Sequence, residues 1–308
     1  MSLMSSSPTI HLIGAPTDVG ASVRGAGMGP DALRVADLPG ILARHGFGVL
    51  DAGNLAGPAT PWAAPSNGLR HLDEVVTWNR SVYGAVDAAL NEGHVPLLMG
   101  GDHCLAVGSI SAVARHARAR GQQLRVIWLD AHADVNTEAT SPSGNLHGMP
   151  VACLLGHGPA ALRGWSGEPA ALDADALRFI GIRSVDSQEK LAIRTLGLRV
   201  YDMRHIDENG MRVTMTEALA DIDANTHLHV SFDLDCLDPA DAPGVGTGVR
   251  GGPTYREMQL CMEMIADTGR LASLDVVELN PALDVRNTTA EVAVELIESL
   301  FGKSTLAR

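Results

Sequence analysis

The sequence predicts an α/β fold in which a parallel β-sheet is covered by helices on both faces. Three observations predict it. Short apolar runs alternate with longer segments of helical periodicity, and those runs are nearly continuous in apolar residues rather than alternating with polar ones. The chain of 308 residues is also long enough to bury a sizeable core, and its sequence contains no repeat and no convincing linker. That length is compatible with one large α/β domain or with two smaller ones.

About eight segments have the composition of buried strands. In chain order they are TIHLIGA, GFGVLD, VPLLMG, LRVIWLD, LRFIGI, LRVYDM, LHVSFDLD and LASLDVVEL. Between them, DEVVTWNRSVYGAVDAALNEG and SQEKLAIRTLG have apolar residues at intervals of three and four and stop at glycine, which is typical of helices. Two late helices have predicted starts, because Thr254–Glu257 fits the capping-box spacing and Thr288–Glu291 nearly fits it. The segment GNLAGPATPWAAPSNG is predicted to be a long surface loop.

Charge and composition exclude several classes of protein. The chain has 23 Lys and Arg against 36 Asp and Glu, a formal net charge of -13, and no basic block, so nucleic acid is not expected as a partner. The apolar runs are too short to cross a membrane. The N-terminus lacks the features of a secretory signal, so we expect a cytoplasmic protein with reduced cysteines, and we expect residues 1–8 to be disordered or left over from cloning.

Ionisable side chains cluster where four predicted strands end. In a parallel sheet the carboxyl ends of the strands form the edge where ligands bind. Within the fourth and seventh strands these side chains recur at every second position, so an extended backbone would point them to one face. The residues are Asp102 and His103; Asp130, His132 and Asp134; Asp233 and Asp235; and Glu278.

The cluster predicts a binuclear metal site. Any one of these residues is more simply explained as a cap or turn former, but six ligand-type residues on three strand ends are hard to explain that way. Crowded carboxylates repel unless cations neutralise them, and two divalent cations would balance four negative charges. Oxygen and imidazole ligands without thiolates suit Mn²⁺, and two such ions can lower the pKa of a shared water. The proposed ligands are His103, Asp130, His132, Asp134, Asp233 and Asp235.

The motifs GGDHC, DAHADVNTEATSPSGNLHGMP, SFDLDCLDP and VVELNP resemble the signature blocks of the arginase (ureohydrolase) family. The resemblance runs from GAPTDVGASVRGAGMGPDALR to the last helix. It implies one three-layer α-β-α domain with an eight-stranded parallel sheet, and two Mn²⁺ ions per subunit on the six ligands already named. It also implies hydrolysis of L-arginine to L-ornithine and urea by a metal-bridging hydroxide, in a homotrimer or homohexamer.

Further site residues follow in part from chemistry and in part from the resemblance. A guanidinium pairs best with a carboxylate, and Glu278 at the neighbouring strand end is the natural partner for one. The family implies that His147 shuttles protons; otherwise His147 is a hydrogen-bonded histidine opening a helix. It also implies that Asn136 and Ser143 bind the substrate α-carboxylate, that Asp186 lies near the α-ammonium, and that Thr247 lines the site. Asp186 could instead cap the helix that follows it. Asp134 is counted as a catalytic residue as well as a ligand.

Two residues depart from the family pattern, and three alternatives remain open. Cys104 stands where serine is frequent, and Ser184 stands where many relatives carry aspartate. The nearest alternative is an agmatinase or guanidino-acid hydrolase, although the loop NTEATSPSGN favours arginine. A single-zinc amide deacetylase should lack the ligands of the second metal. A nucleotide-binding module is suggested by GAGMG before a helix and by Asp51 at a strand end, but Pro30 replaces the third glycine of that fingerprint.

Overall fold

A computed structural model describes residues 8–62, 68–168 and 170–306. The expectation for residues 1–8 therefore lies outside the described residues, except at Pro8. All eight predicted strands are confirmed at their predicted positions along the chain. They are β1 (Thr9–Ala15), β2 (Gly48–Asn54), β3 (Val95–Gly100), β4 (Gln123–Leu129), β5 (Leu177–Ile182), β6 (Arg199–Asp202), β7 (Thr226–Asp233) and β8 (Leu271–Val277).

The strands form one parallel sheet with the order β2-β1-β3-β8-β7-β4-β5-β6. This order brings together β3, β8, β7 and β4: β3, β7 and β4 are followed or ended by the predicted ligands, and β8 is followed by Glu278. Because parallel strands end at the same edge of a sheet, these residues meet at the middle of that edge. The topology thus turns four separate sequence motifs into one site.

Nine helices in the described part of the chain cover the sheet. They are α1 (Gly29–Val35), α2 (Leu38–Arg44), α3 (Leu72–Asn91), α4 (Ala106–Ala119), α5 (Pro150–Leu154), α6 (Ser187–Leu196), α7 (Met203–Ala218), α8 (Tyr255–Asp267) and α9 (Thr288–Leu300). Apolar side chains of α1, α2, α7, α8 and α9 pack on one face, and those of α3, α4 and α5 pack on the other. The predicted three-layer α/β fold is confirmed.

Of the two predicted capping boxes, the structure confirms one. Thr254 caps α8, accepting a hydrogen bond from the amide of Glu257, and the Glu257 side chain reciprocates, so that capping box is confirmed. The box read at Thr288 is wrong. Asn287 is the N-cap of α9 without a side-chain cap bond, and the Asp284 carboxylate accepts from the amide of Thr289 instead. A carboxylate outside the four-residue window has taken over the capping role.

The segment that follows β2 is a loop. Residues 55–62 have no helix or strand, as predicted for the Pro/Gly-rich segment, whose residues 63–67 lie outside the described part.

Of the helices that the structure describes, none combines the length and the apolar composition needed to cross a bilayer.

Candidate metal centre and active site

The first group of predicted ligands surrounds His103. The Nδ1 atom of His103 lies 3.0 Å from Asp233 Oδ2, 3.2 Å from Asp130 Oδ2 and 3.3 Å from Asp134 Oδ2. His103 is 1% exposed, and its Nδ1 atom has no hydrogen-bond partner despite three carboxylate oxygens around it. A buried nitrogen without a partner is costly. The nitrogen and the three oxygens thus surround a position that a cation would fill.

The second group lies beside the first and shares one residue with it. The Nδ1 atom of His132 is 3.0 Å from Asp235 Oδ2 and 3.5 Å from Asp130 Oδ1. Asp130 therefore presents one oxygen to each histidine. His103, Asp130 and Asp134 form one set of atoms that could hold an ion, and Asp130, His132 and Asp235 form the other. The structure brings all six predicted ligands together as two adjoining sets.

The charge of this cluster requires a counterion. Burial, with the charges of Asp235 and Asp130, raises the pKa of Asp233 well above its ordinary value. Burial and the charge of Asp130 likewise raise the pKa of Asp134 to about 7. Carboxylates held this close favour either protons or cations between them. Because the donors are carboxylate oxygens and imidazole nitrogens without a thiolate, the residues fit hard or borderline divalent ions.

Two side chains that the sequence analysis missed orient these ligands. The Trp128 indole donates a hydrogen bond to Asp130 Oδ2 at 2.9 Å, and its ring stacks on His103 with centroids 4.2 Å apart. The Ser231 hydroxyl lies 2.8 Å from His103 Nε2. Trp128 and Ser231 each precede a ligand by two positions along a strand, so period-two alternation was the signal that could have found them. Partners of this kind fix the orientation of a ligand ring.

The predicted ligand side chains converge, but the prediction that extended strands carry them to one face is wrong for most of them. β4 ends at Leu129, so Asp130, His132 and Asp134 are not on an extended strand. Asp134 has a φ of 52° and Glu278 a φ of 63°, both in the left-handed region that non-glycine residues seldom adopt. Residues Leu234–Cys236 form a 3-10 turn in which Asp233 accepts from the amide of Asp235. Apart from Asp233, which ends β7, turns rather than strand pleating orient these side chains, and backbone strain of this kind is often found at functional sites.

Glu278 and His147 form a pair beside the first ligand group. The Nδ1 atom of His147 lies 2.9 Å from Glu278 Oε1, which also accepts a hydrogen bond from the backbone amide of His103. Burial disfavours charge on His147, but the Glu278 carboxylate outweighs burial and raises the pKa of His147 to about 9. His147 sits in a 3-10 turn, Leu146–Gly148, just before α5, as the helix-opening alternative required. Its ring is therefore set to hold a proton.

A cavity of about 120 Å³ opens above the two ligand groups. Asn136 and Thr247 line it, as predicted, and the Thr247 hydroxyl donates to Asp235 Oδ2 at 2.9 Å. Glu189 lines it as well and was not predicted. Ser143 is exposed and is not among the lining residues; its Oγ accepts from the amide of Asn145. The full lining is His103, His132, Asp134, Asn136, His147, Gly148, Glu189, Asp233, Asp235 and Thr247.

Asp186 serves as a helix cap and also reaches the site. Its Oδ1 accepts from the amides of Gln188 and Glu189, and the Glu189 side chain returns the bond to the Asp186 amide, so α6 begins with a capping box. Its Oδ2 accepts from the side-chain amide of Asn136 at 2.9 Å. The capping alternative is thus correct, and it fixes Glu189 and Asn136 at the cavity wall.

The features that suggested a nucleotide site have a structural explanation. Both oxygens of Asp51 accept hydrogen bonds from Arg34, at 2.8 Å from Nε and 2.9 Å from the second guanidinium nitrogen. Asp51 therefore joins α1 to β2 and is not left free for a ribose. The two departures from the family pattern also lie within the packed structure: Cys104 is 1% exposed, and the amide of Ser184 donates to the carbonyl of Ala131. All four cysteines are buried and free, as predicted for reduced thiols.

Comparison with known proteins gives one consistent result. The sequence model described as the arginase family matches residues 8–302. The arginase of Brevibacillus brevis is 44% identical over 298 residues, covering 96% of this chain and 99% of that protein. The native structure of the arginase from Bacillus caldovelox superposes with a TM-score of 0.91 at 42% identity, covering 97% of this chain and 100% of that one. A hypothetical agmatinase from Burkholderia thailandensis is less similar, with a TM-score of 0.72 and 25% identity.

Proposed function

The chain belongs to the arginase family, and on that premise we propose that it hydrolyses L-arginine to L-ornithine and urea at a centre of two Mn²⁺ ions. The observation that carries this proposal is the arrangement of two adjoining ligand sets that share Asp130. A carboxylate that faces both sets can bind two ions held about 3.5–4 Å apart. Near-full-length similarity to arginases, against weaker similarity to an agmatinase, supports arginine as the substrate.

The nucleophile would be a water molecule activated by the two bound ions. The residues that would hold the ions are His103, Asp130, Asp134 and Asp233 in one set, and Asp130, His132 and Asp235 in the other. When bound, two divalent cations neutralise the carboxylates and bring the pKa of a water molecule toward neutrality, so that it can attack an electrophilic carbon. The chain's part is to hold its donors fixed. Trp128, Ser231 and Thr247 do so through the hydrogen bonds described above.

We assign Glu278 to orienting the substrate guanidinium and His147 to proton transfer. A guanidinium is planar, always protonated, and pairs with a carboxylate through parallel hydrogen bonds. Glu278, which is 2% exposed and contacts His147 of the cavity lining, would accept such bonds and hold the guanidino carbon near the ligands. Attack by water on the guanidino carbon and cleavage of its bond to Nε would release urea and ornithine, and the departing amine must gain a proton. His147, whose pKa lies near 9, carries a proton that could be passed to the amine or to solvent.

The far end of the substrate sets the choice between arginine and agmatine, because agmatine lacks the α-carboxylate. We assign Asn136 and Ser143 to that carboxylate, Asp186 to the α-ammonium and Thr247 to the cavity wall. In support, Asn136 is 8% exposed, lines the cavity, and is held by Asp186. Glu189, on the same wall, adds a second carboxylate for the ammonium.

We also propose that residues 1–308 form one catalytic domain, that the enzyme is a homotrimer or homohexamer, and that it acts in the cytoplasm. The first proposal is supported by the single sheet and by the family match from residue 8 to residue 302. The oligomer and the compartment rest on the family resemblance and on the composition.

Urea release from L-arginine and from agmatine, measured side by side before and after Mn²⁺ loading, tests the function. We expect activity on arginine that depends on Mn²⁺ and exceeds activity on agmatine by at least 100-fold or so, since the site's polar groups for the carboxylate would be left unpaired. Glu278→Gln, which keeps the shape but removes the charge, is the matched inactive control. Faster hydrolysis of agmatine would make the protein an agmatinase. A single ion per chain after full loading would instead support the amide deacetylase.

A further inference from the structure

Three metal-binding side chains meet at the edge of the sheet opposite the active site. His11 lies in β1, and Glu92 and His94 lie in the short connection between α3 and β3. Ile10 of β1 pairs with Val95 of β3 and His11 pairs with Pro96, so His94, directly before β3, lies near this part of β1. The six residues of β3 separate this cluster from the catalytic edge by roughly 20 Å. It is therefore independent of the proposed arginase centre.

Two distances in the cluster match the edges of a tetrahedral metal site. His94 Nδ1 is 3.4 Å from His11 Nδ1 and 3.3 Å from Glu92 Oε2. In a tetrahedral zinc site, with bonds of about 2.0–2.1 Å to nitrogen and oxygen, neighbouring ligand atoms are ~3.3 Å apart. The three ligand atoms also lie within 4.8 Å of one another.

The side chains are also in a suitable chemical state and position. Burial, together with the neighbouring His94, lowers the pKa of His11, which favours the neutral imidazole that binds metals. The side chain of His94 is 23% exposed and that of Glu92 is 59% exposed, so an ion could enter from solvent and keep a water as its fourth ligand. Gly93 between them has a φ of 77°, and this turn lets Glu92 and His94 approach the same point.

From this geometry we propose that His11, Glu92 and His94 form a mononuclear site for a borderline divalent ion, with Zn²⁺ as its best fit. Two imidazoles and one carboxylate, with a fourth position open, are a common zinc ligand set. The bound ion would join the residues that follow α3 to β1. It would therefore stabilise this edge of the sheet by mass action.

Zinc uptake by the Mn²⁺-loaded enzyme tests the proposal. After dialysis against micromolar Zn²⁺, zinc and manganese per chain are measured in the wild type, His94→Gln, Glu92→Gln and the control His157→Gln, an exposed histidine of another loop. We expect about one more zinc per chain in the wild type and in His157→Gln than in His94→Gln. Glu92→Gln should bind this zinc at least tenfold more weakly. Zinc that exchanges into the active site is the same in all four proteins and cancels.

Diffraction at the zinc absorption edge locates the ion in the same samples. The expected result is an anomalous peak between His11 Nδ1 and His94 Nδ1, about 2.1 Å from each. Equal zinc content in the wild type and His94→Gln would overturn the proposal. So would a peak elsewhere on the surface with none between these nitrogens. Because Glu92 is exposed, Glu92→Gln serves as the second variant if His94→Gln does not fold.

Discussion

The Nδ1 atom of His147 lies 2.9 Å from the Oε1 atom of Glu278, a residue 131 positions away in the sequence. The same oxygen accepts the amide of His103, one of the proposed ligands. One carboxylate thus connects the residue that would transfer protons with the backbone that holds a ligand. A substrate guanidinium must compete with His147 for Glu278, so binding of arginine should release His147 to act as an acid.

Replacing Glu278 should change the titration of His147. In Glu278→Gln the charge that raises the pKa of His147 to about 9 is lost, so this pKa should fall toward or below the ordinary value of 6.5. NMR titration of the metal-free protein measures it, and Glu217→Gln on the exposed face of α7 is the control. The pair stabilises the fold fully below about pH 6.5 while Glu278 is ionised, and this contribution is lost as the pH rises through about 9. An unchanged pKa of His147 in Glu278→Gln would contradict the pairing.

Asp130→Asn should affect both ions, because each oxygen of Asp130 faces a different histidine. We expect manganese content to fall from two ions per chain to less than one. Asp235→Asn, which touches only the second group, should retain about one ion. The control is Asp37→Asn, an exposed change at the start of α2, where asparagine tolerates the positive φ of 64°. Two ions retained by Asp130→Asn would show that Asp130 is not shared.

Asn136→Ala should weaken the binding of arginine but not of agmatine. Loss of a hydrogen bond to a charged group costs about 1.5–3 kcal/mol, so KM for L-arginine should rise about tenfold or more with a smaller change in kcat. Agmatine, which lacks the carboxylate, is the internal control. If KM rises equally for both substrates, Asn136 acts through the cavity wall and its partner Asp186 rather than through the carboxylate.

Gly101 in the GGDHC motif should tolerate no side chain. A Cβ atom there would lie 1.6 Å from the carbonyl oxygen of Thr17, so backbone must move. Gly101→Ala should lower the free energy of unfolding by at least about 2 kcal/mol, measured by chemical denaturation. Gly84→Ala is the matched control, because its Cβ atom meets open space on α3 and alanine should stabilise that helix by up to about 1 kcal/mol. Equal stability of the two variants would contradict this account of Gly101.

The strands and ligands could be predicted from the sequence because both depend on local composition. Buried parallel strands need continuous apolar runs, and all eight predicted strands are present, although β2 at the edge of the sheet is largely exposed. The order of the strands could not be predicted, since it depends on which way each connecting helix crosses the sheet. The capping of α9 by Asp284 was missed for a related reason, because the capping carboxylate lies outside the usual four-residue pattern.

The sequence predicted the residues of the site more completely than the backbone conformations that bring them together. Asp134 and Glu278 reach the site through left-handed backbone conformations, which the residue types did not indicate. Glu189 was missed because its position three residues after Asp186 is explained by a capping box, and only the structure shows that it also lines the cavity. Three predicted residues, Ser143, Asp186 and Glu278, are not among the residues that line the cavity, although Asp186 contacts Asn136 and Glu278 contacts His147.

Diffraction from crystals of the Mn²⁺-loaded protein, collected at the manganese absorption edge, tests the central claim most directly. The account predicts two anomalous peaks about 3.5–4 Å apart, one among His103, Asp130, Asp134 and Asp233, the other among Asp130, His132 and Asp235. A single peak, or carboxylates bonded only to the two histidines with no ion between them, would contradict it.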